Sequence, residues 1–266
     1  MNRAAVLIPH YKNPDGLRTS LGSIDPDDPA DIYVVDDGSP TPPTHSEVAG
    51  AVRGTRQVTV LALPTNVGIE GALNAGLDRI IAGRYEYIAR LDCGDRNVGR
   101  RFATQIAYLD SHPQVLLLGG AALFVDPQGE PLFVRQMPTT HAEIASFMRA
   151  NSAFMHPAVM FRASAAKRIG HYPTAFPAAE DYAYFWRFME AGEVANLPEV
   201  LIEYEVDPGS ISRTKRSRQL QSRLQVQRLH ADGSLAARMG MWRTRALLVA
   251  PVGLIDALKA KRYGQP

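Results

Sequence analysis

Short, unbroken apolar runs, each ending at a polar cluster, recur along the first hundred positions. "AAVLIP" (4–9) leads into the turn "HYKNPDG". "DIYVVDDGSP" (31–40) passes from apolar residues into acids and a Gly-Ser-Pro turn. "QVTVLAL" spans 57–63 and "YEYIARLD" spans 85–92. Runs this short, with so few polar interruptions, suit strands buried on both faces of a parallel sheet. Between them, Leu17, Leu21 and Ile24, and then Ile69, Leu73, Leu77 and Ile80, recur at helical spacing, with Gly83 as a stop. This alternation predicts β-α-β units and a parallel sheet covered by helices.

Past residue 99 the rhythm changes. A helix over 99–110 precedes the strand "VLLLGGAALFV". "DPQGE" is a hairpin turn into "PLFVRQM". "HAEIASFMRAN" and "EDYAYFWRFMEAG" have helical patterns, the second with Phe185 and Trp186 on its core face. "HPAVMFR" and "EVLIEYEV" are predicted strands that continue the same sheet. The expected fold class is α/β, a mostly parallel central sheet flanked by helices, followed by a C-terminal extension. No internal repeat or low-complexity segment interrupts the first 210 residues.

Composition narrows the class. At 45% hydrophobic and 21% charged, the 266-residue chain can bury a core and is not a disordered polymer. Its one cysteine, Cys93, permits no internal disulfide, which fits a reducing compartment. The N-terminal apolar run is too short for a secretion signal, so a cytoplasmic location is expected. Charge is unevenly spread. Residues 211–266 hold twelve Lys and Arg against two acids, Asp232 and Asp256, a balance of +10. The first 210 residues therefore carry −8 of the overall +2. An acidic body with a basic tail points to an anionic partner for the tail; the alternative is a solvated helical tail.

The chemistry gathers where strands end, because ligands of doubly wound sheets sit at the strands' carboxyl ends. Three runs end in Pro9-His10-Tyr11, Asp36-Asp37-Gly38-Ser39 and Asp92-Cys93-Gly94-Asp95. Asp92 and Asp95 would lie about 10 Å apart in an extended strand; Gly94 permits the turn that brings them together. Paired carboxylates beside a diphosphate suit Mg²⁺ or Mn²⁺. The other reading is a polar loop with Asp92 capping a turn and Asp95 solvated. Glu180 and Asp181 open a helix, where the helix dipole alone favours acids; a general base at a pocket rim is the functional alternative. His156 is either a strand-end core residue or an acceptor contact. No Walker loop, dinucleotide fingerprint, zinc spacing or G-x-S-x-G elbow is present.

These segments, in order, resemble the family 2 glycosyltransferases, inverting nucleotide-sugar enzymes with the GT-A fold. The likeness spans residues 3–215. It is carried by "VLIPHYKNPDGLRTSLGSI", "IYVVDDGSP", "TNVGIEGALNAGL", "ARLDCGD", "FMHPAVMFR" and "IGHYPTAFPAAEDYAYFWRFMEAG". The resemblance implies a GT-A domain over 1–215, with a nucleotide-sugar half at 1–98 and an acceptor half at 99–215, and a basic helical extension over 216–266. It implies that Asp37 accepts a hydrogen bond from uracil and that Pro9 and Tyr11 line the nucleoside pocket, with Asn66 and Arg90 nearby. Asp92 would lie near the ribose or sugar, and Asp95 would ligate the metal. Asp181 would be the base with Glu180 beside it. Segment 210–218 falls where related enzymes close a loop over the donor. One departure stands out: Gly94 occupies a position that is usually acidic, so the metal site would lean on Asp95.

The implied activity is transfer from a UDP-sugar, with Mn²⁺ or Mg²⁺, to a glycan or lipid-linked glycan in bacterial surface-polysaccharide synthesis, without a nucleic-acid partner. A silent nucleotide-sugar binder and a nucleotidyltransferase are the competing readings. The latter should carry a Gly-rich basic phosphate loop, which "IPHYKNPDG" is not. In the tail, the stretch 246–258 is too short and too interrupted to span a bilayer. Its basic, amphipathic surroundings suit peripheral contact with the inner face of the cytoplasmic membrane, or else packing on the domain.

Overall fold

The computed structural model describes residues 2–206 and 216–250. Nine strands form one sheet. β1 (Ala4–His10), β2 (Ala30–Asp36), β3 (Val58–Ala62) and β4 (Tyr87–Arg90) lie in the order β3-β2-β1-β4, all parallel. The sheet continues through β8 (Met160–Arg162), β6 (Val115–Val125), β9 (Glu193–Glu205) and β5 (Arg96–Asn97), with β7 (Pro131–Arg135) paired to β6. β8 runs antiparallel to both β4 and β6, and β9 is parallel to β6. Six strands therefore share one direction, and the carboxyl ends of β1, β2, β4, β6 and β9 face one edge.

Period-two alternation splits β1 between two cores. Ala5 and Leu7 pack with α3 (Ile69–Ile81), α5 (His141–Met148), α6 (Ala163–Ile169) and α7 (Glu180–Ala191). Ala4, Val6 and Ile8 pack with α1 (Pro14–Ser23), α2 (His45–Ala51) and α4 (Arg101–Ser111). The runs are apolar because both faces are covered. α3 comes unusually close: a Cβ on Gly76 would lie 2.3 Å from Leu7 Cδ1.

The fold departs from the sequence reading in several places, mostly in the second half. "HPAVMFR" is a strand only over Met160–Arg162. His156–Ala158 is a 3₁₀ turn in which Pro157, lacking an N–H, suits an N-terminal position. α6 follows β8 without a loop, and α2 and the two-residue β5 were not anticipated. β9 starts at Glu193, six residues before the expected start, because β6 pairs with it from Val115 onward.

α8 (Arg216–Leu229) and α9 (Leu235–Val249) form a hairpin packed on the body. His230, just past α8, stacks on Trp186 with ring centroids 4.3 Å apart. Gln227 donates to the Ala150 carbonyl at 2.9 Å, and Gly240 lies against Ala150. Ser234 caps α9. Of the predicted donor-loop segment 210–218, residues 216–218 open α8 and the rest lies outside the described residues. Of the predicted amphipathic stretch 246–258, residues 246–249 close α9 and those beyond 250 lie outside as well.

Candidate active site

Parallel register sets the floor of the site, pairing His10 of β1 with Asp36 of β2. His10 Nδ1 meets Asp36 Oδ1 at 2.6 Å and His10 Nε2 accepts the Asn13 N–H at 3.3 Å, so Nδ1 carries the proton. Asp36 Oδ2 accepts from Ser39 N–H at 2.8 Å. Both side chains are buried and saturated by one another and by the backbone; they are scaffold. Asp37 is the next residue outward. Its oxygens accept the N–H groups of Val67 (2.8 Å) and Gly68 (3.0 Å), while Asn66 donates to its carbonyl at 3.2 Å. Burial raises the Asp37 pKa, and the two N–H bonds oppose that rise. Gly38 sits at φ +70°, where a Cβ would lie 2.3 Å from the Thr65 carbonyl carbon. Only glycine lets these loops close. Pro9 is buried in β1. Tyr11 is 43% exposed beside Lys12, whose left-handed backbone (φ 52°) is held by its N–H bond to Ser39 Oγ at 2.9 Å.

β4 delivers Arg90 and then the carboxylate turn. Arg90 is fully buried and turned inward. It donates to Asp92 Oδ1 at 2.5 Å, to His156 Nε2 at 3.2 Å and to the Leu7 carbonyl. The turn is locked to α1. The Ser20 hydroxyl donates to the Asp92 carbonyl (3.0 Å) and accepts the Gly94 N–H (3.0 Å), and Gly94 adopts φ +104°. Asp95 is 5% exposed. Its Oδ1 accepts the Glu205 N–H of β9 at 3.3 Å, and its Oδ2 is buried with no partner. Burial first, and the neighbouring Asp92 second, push its carboxyl well above the ordinary range. Two carboxylates held close with an orphaned buried oxygen fit a divalent cation that keeps waters and takes further ligands from a bound phosphate. Among the described residues no group of three or more His, Cys, Asp or Glu is gathered for metal, so a closed all-protein cage does not form. Burial raises the Cys93 thiol pKa, which favours the neutral thiol over the thiolate.

Opposite the turn stands the start of α7. The chain enters it through Ala178 in a left-handed conformation (φ 61°), a strained state for a residue with a Cβ. Asp181 Oδ1 accepts the Tyr182 N–H at 2.6 Å. Glu180 is buried, and its Oε2 has no partner. Its pKa is pushed up to about 8, by burial first and by Asp181 second. Burial also raises Asp181, while the Tyr182 N–H and Arg223 favour its charged form. Asp92 acts electrostatically on both acids, so the β4 turn and the α7 terminus face each other.

Between them lie His156 and Tyr172. His156 is neutral, lowered to about 3 by burial and then by Arg90, with its Nε2 3.1 Å from the Tyr172 hydroxyl. Asn74 holds the Tyr172 backbone with bonds of 2.8 and 3.0 Å. Sequence reading did not single out Ser20, Tyr172, Tyr204 or Arg223. Tyr204, from the end of β9, responds to Asp95, Asp92 and Asp181 together. No local pattern marks Ser20 or Tyr204. Arg223 is hidden among twelve basic residues of the tail.

A model of glycosyl transferase family 2 matches residues 5–170. The chain is a family 2 glycosyltransferase. It is 32% identical over 232 residues to the amylovoran biosynthesis glycosyltransferase AmsE of Erwinia amylovora, covering 85% of this chain and 84% of that one. It is 25% identical over 177 residues to an Escherichia coli UDP-Gal:alpha-D-GlcNAc-diphosphoundecaprenol beta-1,3-galactosyltransferase, covering 66% and 62%. The solved mannosyltransferase PcManGT of Pyrobaculum calidifontis, in complex with GDP-Man and Mn²⁺, superposes with a TM-score of 0.62 at 18% identity, covering 98% of this chain and 79% of that one. The α/β fold of this family 2 enzyme is thus that of the GT-A glycosyltransferases. The family match ends before α7, so the acids at 180 and 181 rest on geometry and resemblance.

Proposed function

We propose that this family 2 glycosyltransferase moves a sugar from a UDP-sugar, with inversion, to a hydroxyl of a glycan or lipid-linked glycan in bacterial surface-polysaccharide assembly. The observation that carries this reading is the orphaned Asp95 Oδ2 in a two-carboxylate turn facing Glu180 and Asp181. The names of relatives agree: one acts in amylovoran biosynthesis and another takes UDP-Gal to a diphosphoundecaprenol acceptor.

Asp37 reads the uracil edge. Each of its oxygens accepts one backbone N–H, and each keeps a lone pair for the ring N–H. Pro9, Tyr11 and Asn66 border that nucleoside pocket. Arg90 acts from behind, fixing Asp92 near the ribose or sugar. Asp95, with Asp92, would hold Mn²⁺ or Mg²⁺, which when bound supplies positive charge at the leaving diphosphate. Asp181 takes the proton of the attacking hydroxyl. Glu180, pushed up to about 8 by burial and then by Asp181, holds its proton more firmly than an ordinary carboxyl beside the proposed base. The reaction takes place in the cytoplasm at the inner face of the membrane, with the C-terminal extension as the contact. No helix among the described residues is long and apolar enough to cross a membrane.

Thermal shift with UDP and Mn²⁺, beside UDP-sugar turnover, tests the scheme. Asp181→Asn should lose turnover by 10²-fold or more, about the scale of removing a general base, and keep its UDP shift. Asp95→Asn should lose the metal-dependent part of that shift. Equal loss of both properties in Asp181→Asn would refute the base role.

A further inference from the structure

His156 has no role in the scheme above, yet it sits where β8 meets the end of β4. The 3₁₀ turn His156–Ala158 leads into β8, whose antiparallel pairing sets Met160 opposite Ala89. One residue further along β4, the Arg90 N–H donates to the Val159 carbonyl at 2.9 Å. Arg101 donates to the Arg90 carbonyl, also at 2.9 Å. The Arg90 main chain is therefore fixed. Where its side chain points is decided by the acceptors around its fully buried guanidinium. Nη1 donates to the Leu7 carbonyl, Nη2 donates to Asp92 Oδ1 at 2.5 Å, and Nε donates to His156 Nε2 at 3.2 Å.

That last bond fixes the state of the imidazole. An arginine Nε always carries hydrogen, so His156 Nε2 is bare and accepts, and Nδ1 holds the proton of the neutral ring. The Tyr172 hydroxyl lies 3.1 Å from the same nitrogen, which has one lone pair for two donors. The hydroxyl can rotate to another acceptor and the guanidinium N–H cannot, so the lone pair serves Arg90. The imidazole is boxed in. Tyr172 and Phe185 flank it, with ring centroids 5.5 and 5.8 Å away. Tyr172 is itself stacked on Tyr184 at 3.9 Å, and Asn74 holds its backbone with two bonds. A chain of direct bonds thus runs from His156 through Arg90 to Asp92. In the ion pair, the Asp92 side chain is 36% exposed and that of Arg90 is enclosed, so the acid faces the site and the arginine sets its angle. An apolar residue at 156 would leave a buried, charged N–H without an acceptor. The guanidinium would then turn toward other acceptors and take Asp92 with it.

We propose that His156 is a positioning residue: its bare Nε2 orients the Arg90 guanidinium and, through it, sets the place of Asp92 in the donor site. The inference rests on the reading of Asp92 as a carboxylate that helps Asp95 hold the metal. It assigns the histidine to the donor side, in place of the acceptor contact that its sequence position allows.

The test compares the full-length wild type with His156→Leu and His156→Gln. Each is titrated with UDP by calorimetry, first without metal and then with Mn²⁺. In His156→Leu the Mn²⁺-dependent gain in UDP affinity should fall about tenfold, the lower end of what outer partners of a metal ligand contribute. Metal-free UDP binding, which relies on the Asp37 pocket, should be kept; a merely loosened fold would lower both. His156→Gln offers a side-chain oxygen at a reach similar to that of Nε2 and should recover most of the gain. His156→Asn, polar but too short to reach Arg90, replaces the leucine variant should that one not fold. The imidazole is read separately by ¹⁵N NMR of the metal-free protein, with His156→Gln assigning its signals among the seven histidines. Nε2 should be unprotonated and Nδ1 protonated at neutral pH. A protonated Nε2 overturns the inference, and so does a wild-type Mn²⁺ gain in His156→Leu. Equal loss in the leucine and glutamine variants also overturns it, because ring packing and not the acceptor would then set Asp92. These outcomes leave the metal reading of Asp92 standing. A wild type that gains nothing from Mn²⁺ overturns that reading, and this inference with it.

Discussion

Glu180 and Asp181 are adjacent acids whose surroundings give them different work. Glu180 has a buried oxygen without a partner, whereas Asp181 has a backbone N–H and the field of Arg223. The consequence for stability has a definite sign. The Glu180 carboxyl titrates near 4.5 in an ordinary setting and near 8 in the fold. Between those values the folded chain keeps a proton that the unfolded chain has released. Its contribution is therefore fully present below pH 4.5 and is lost as pH rises through 8. The melting temperature of the wild type should fall from pH 5 to 8.5. Glu180→Gln, which has no proton to lose, should give a flatter profile and the more stable protein at the alkaline end. Parallel profiles would show that Glu180 is ionised throughout. The sequence placed both acids at a helix start but could not divide their roles, because that division depends on burial and on Arg223, some forty residues away. Gly94 shows the opposite case. Its departure from the usual acid is visible in the sequence, and its φ of +104° gives the reason a glycine is needed there.

Whole elements were legible where their own residues decide them. β1, β2 and β4 are apolar because two layers of helices cover them, and the ends of β1 and β2 pair in register as the alternation required. Elements decided by their neighbours were not legible. β8 has three residues and exists because β4 and β6 flank it; β5 has two and exists because β9 flanks it. The docking of α1 on the carboxylate turn is likewise a tertiary contact, and Ser20 is its hinge. Ser20→Ala would remove one of two acceptors from the Gly94 N–H, which keeps the Gly16 carbonyl at 3.2 Å, and one of two donors from the Asp92 carbonyl, which keeps the Asp95 N–H at 3.2 Å. The expected cost is about 0.5–1.5 kcal/mol, that of ordinary hydrogen bonds lost without stranding a group, measurable by urea unfolding. Mn²⁺-dependent UDP binding should weaken as well, since Asp92 and Asp95 lose their mutual placement. A variant with normal stability and normal metal dependence would show that α1 merely adjoins the turn.

At the scale of the molecule, charge and apolar surface have the same polarity. The body carries −8 and the tail +10, so an anionic lipid surface would repel the former and attract the latter, orienting the site. α9 adds an apolar stripe. Leu235, Met239, Trp242 and Val249 recur at steps of four, three and seven, and are between 60% and 84% exposed. Arg238 and Arg245 join Met239, Met241 and Trp242 in lining a shallow groove on the same helix, and the sequence beyond 250 adds Lys259, Lys261 and Arg262 against Asp256. Exposed tryptophan beside arginines suits the headgroup layer. The hairpin packs on the body through Gly240 and Ala150, so deletion would disturb the fold; point variants on the exposed stripe are the sharper probe. Vesicles containing phosphatidylglycerol should float the wild type, and purely phosphatidylcholine vesicles should float it far less. Trp242→Ala with Met239→Ala should reduce the bound fraction severalfold, and Arg238→Glu with Arg245→Glu should abolish it at 0.1 M salt, where the Debye length is about 10 Å. Trp186 is buried, so a blue shift of emission on binding reports Trp242. Flotation that ignores lipid charge would remove the electrostatic half of the argument. A concentration-dependent dimer with no vesicle binding would assign the stripe to a second copy of the chain.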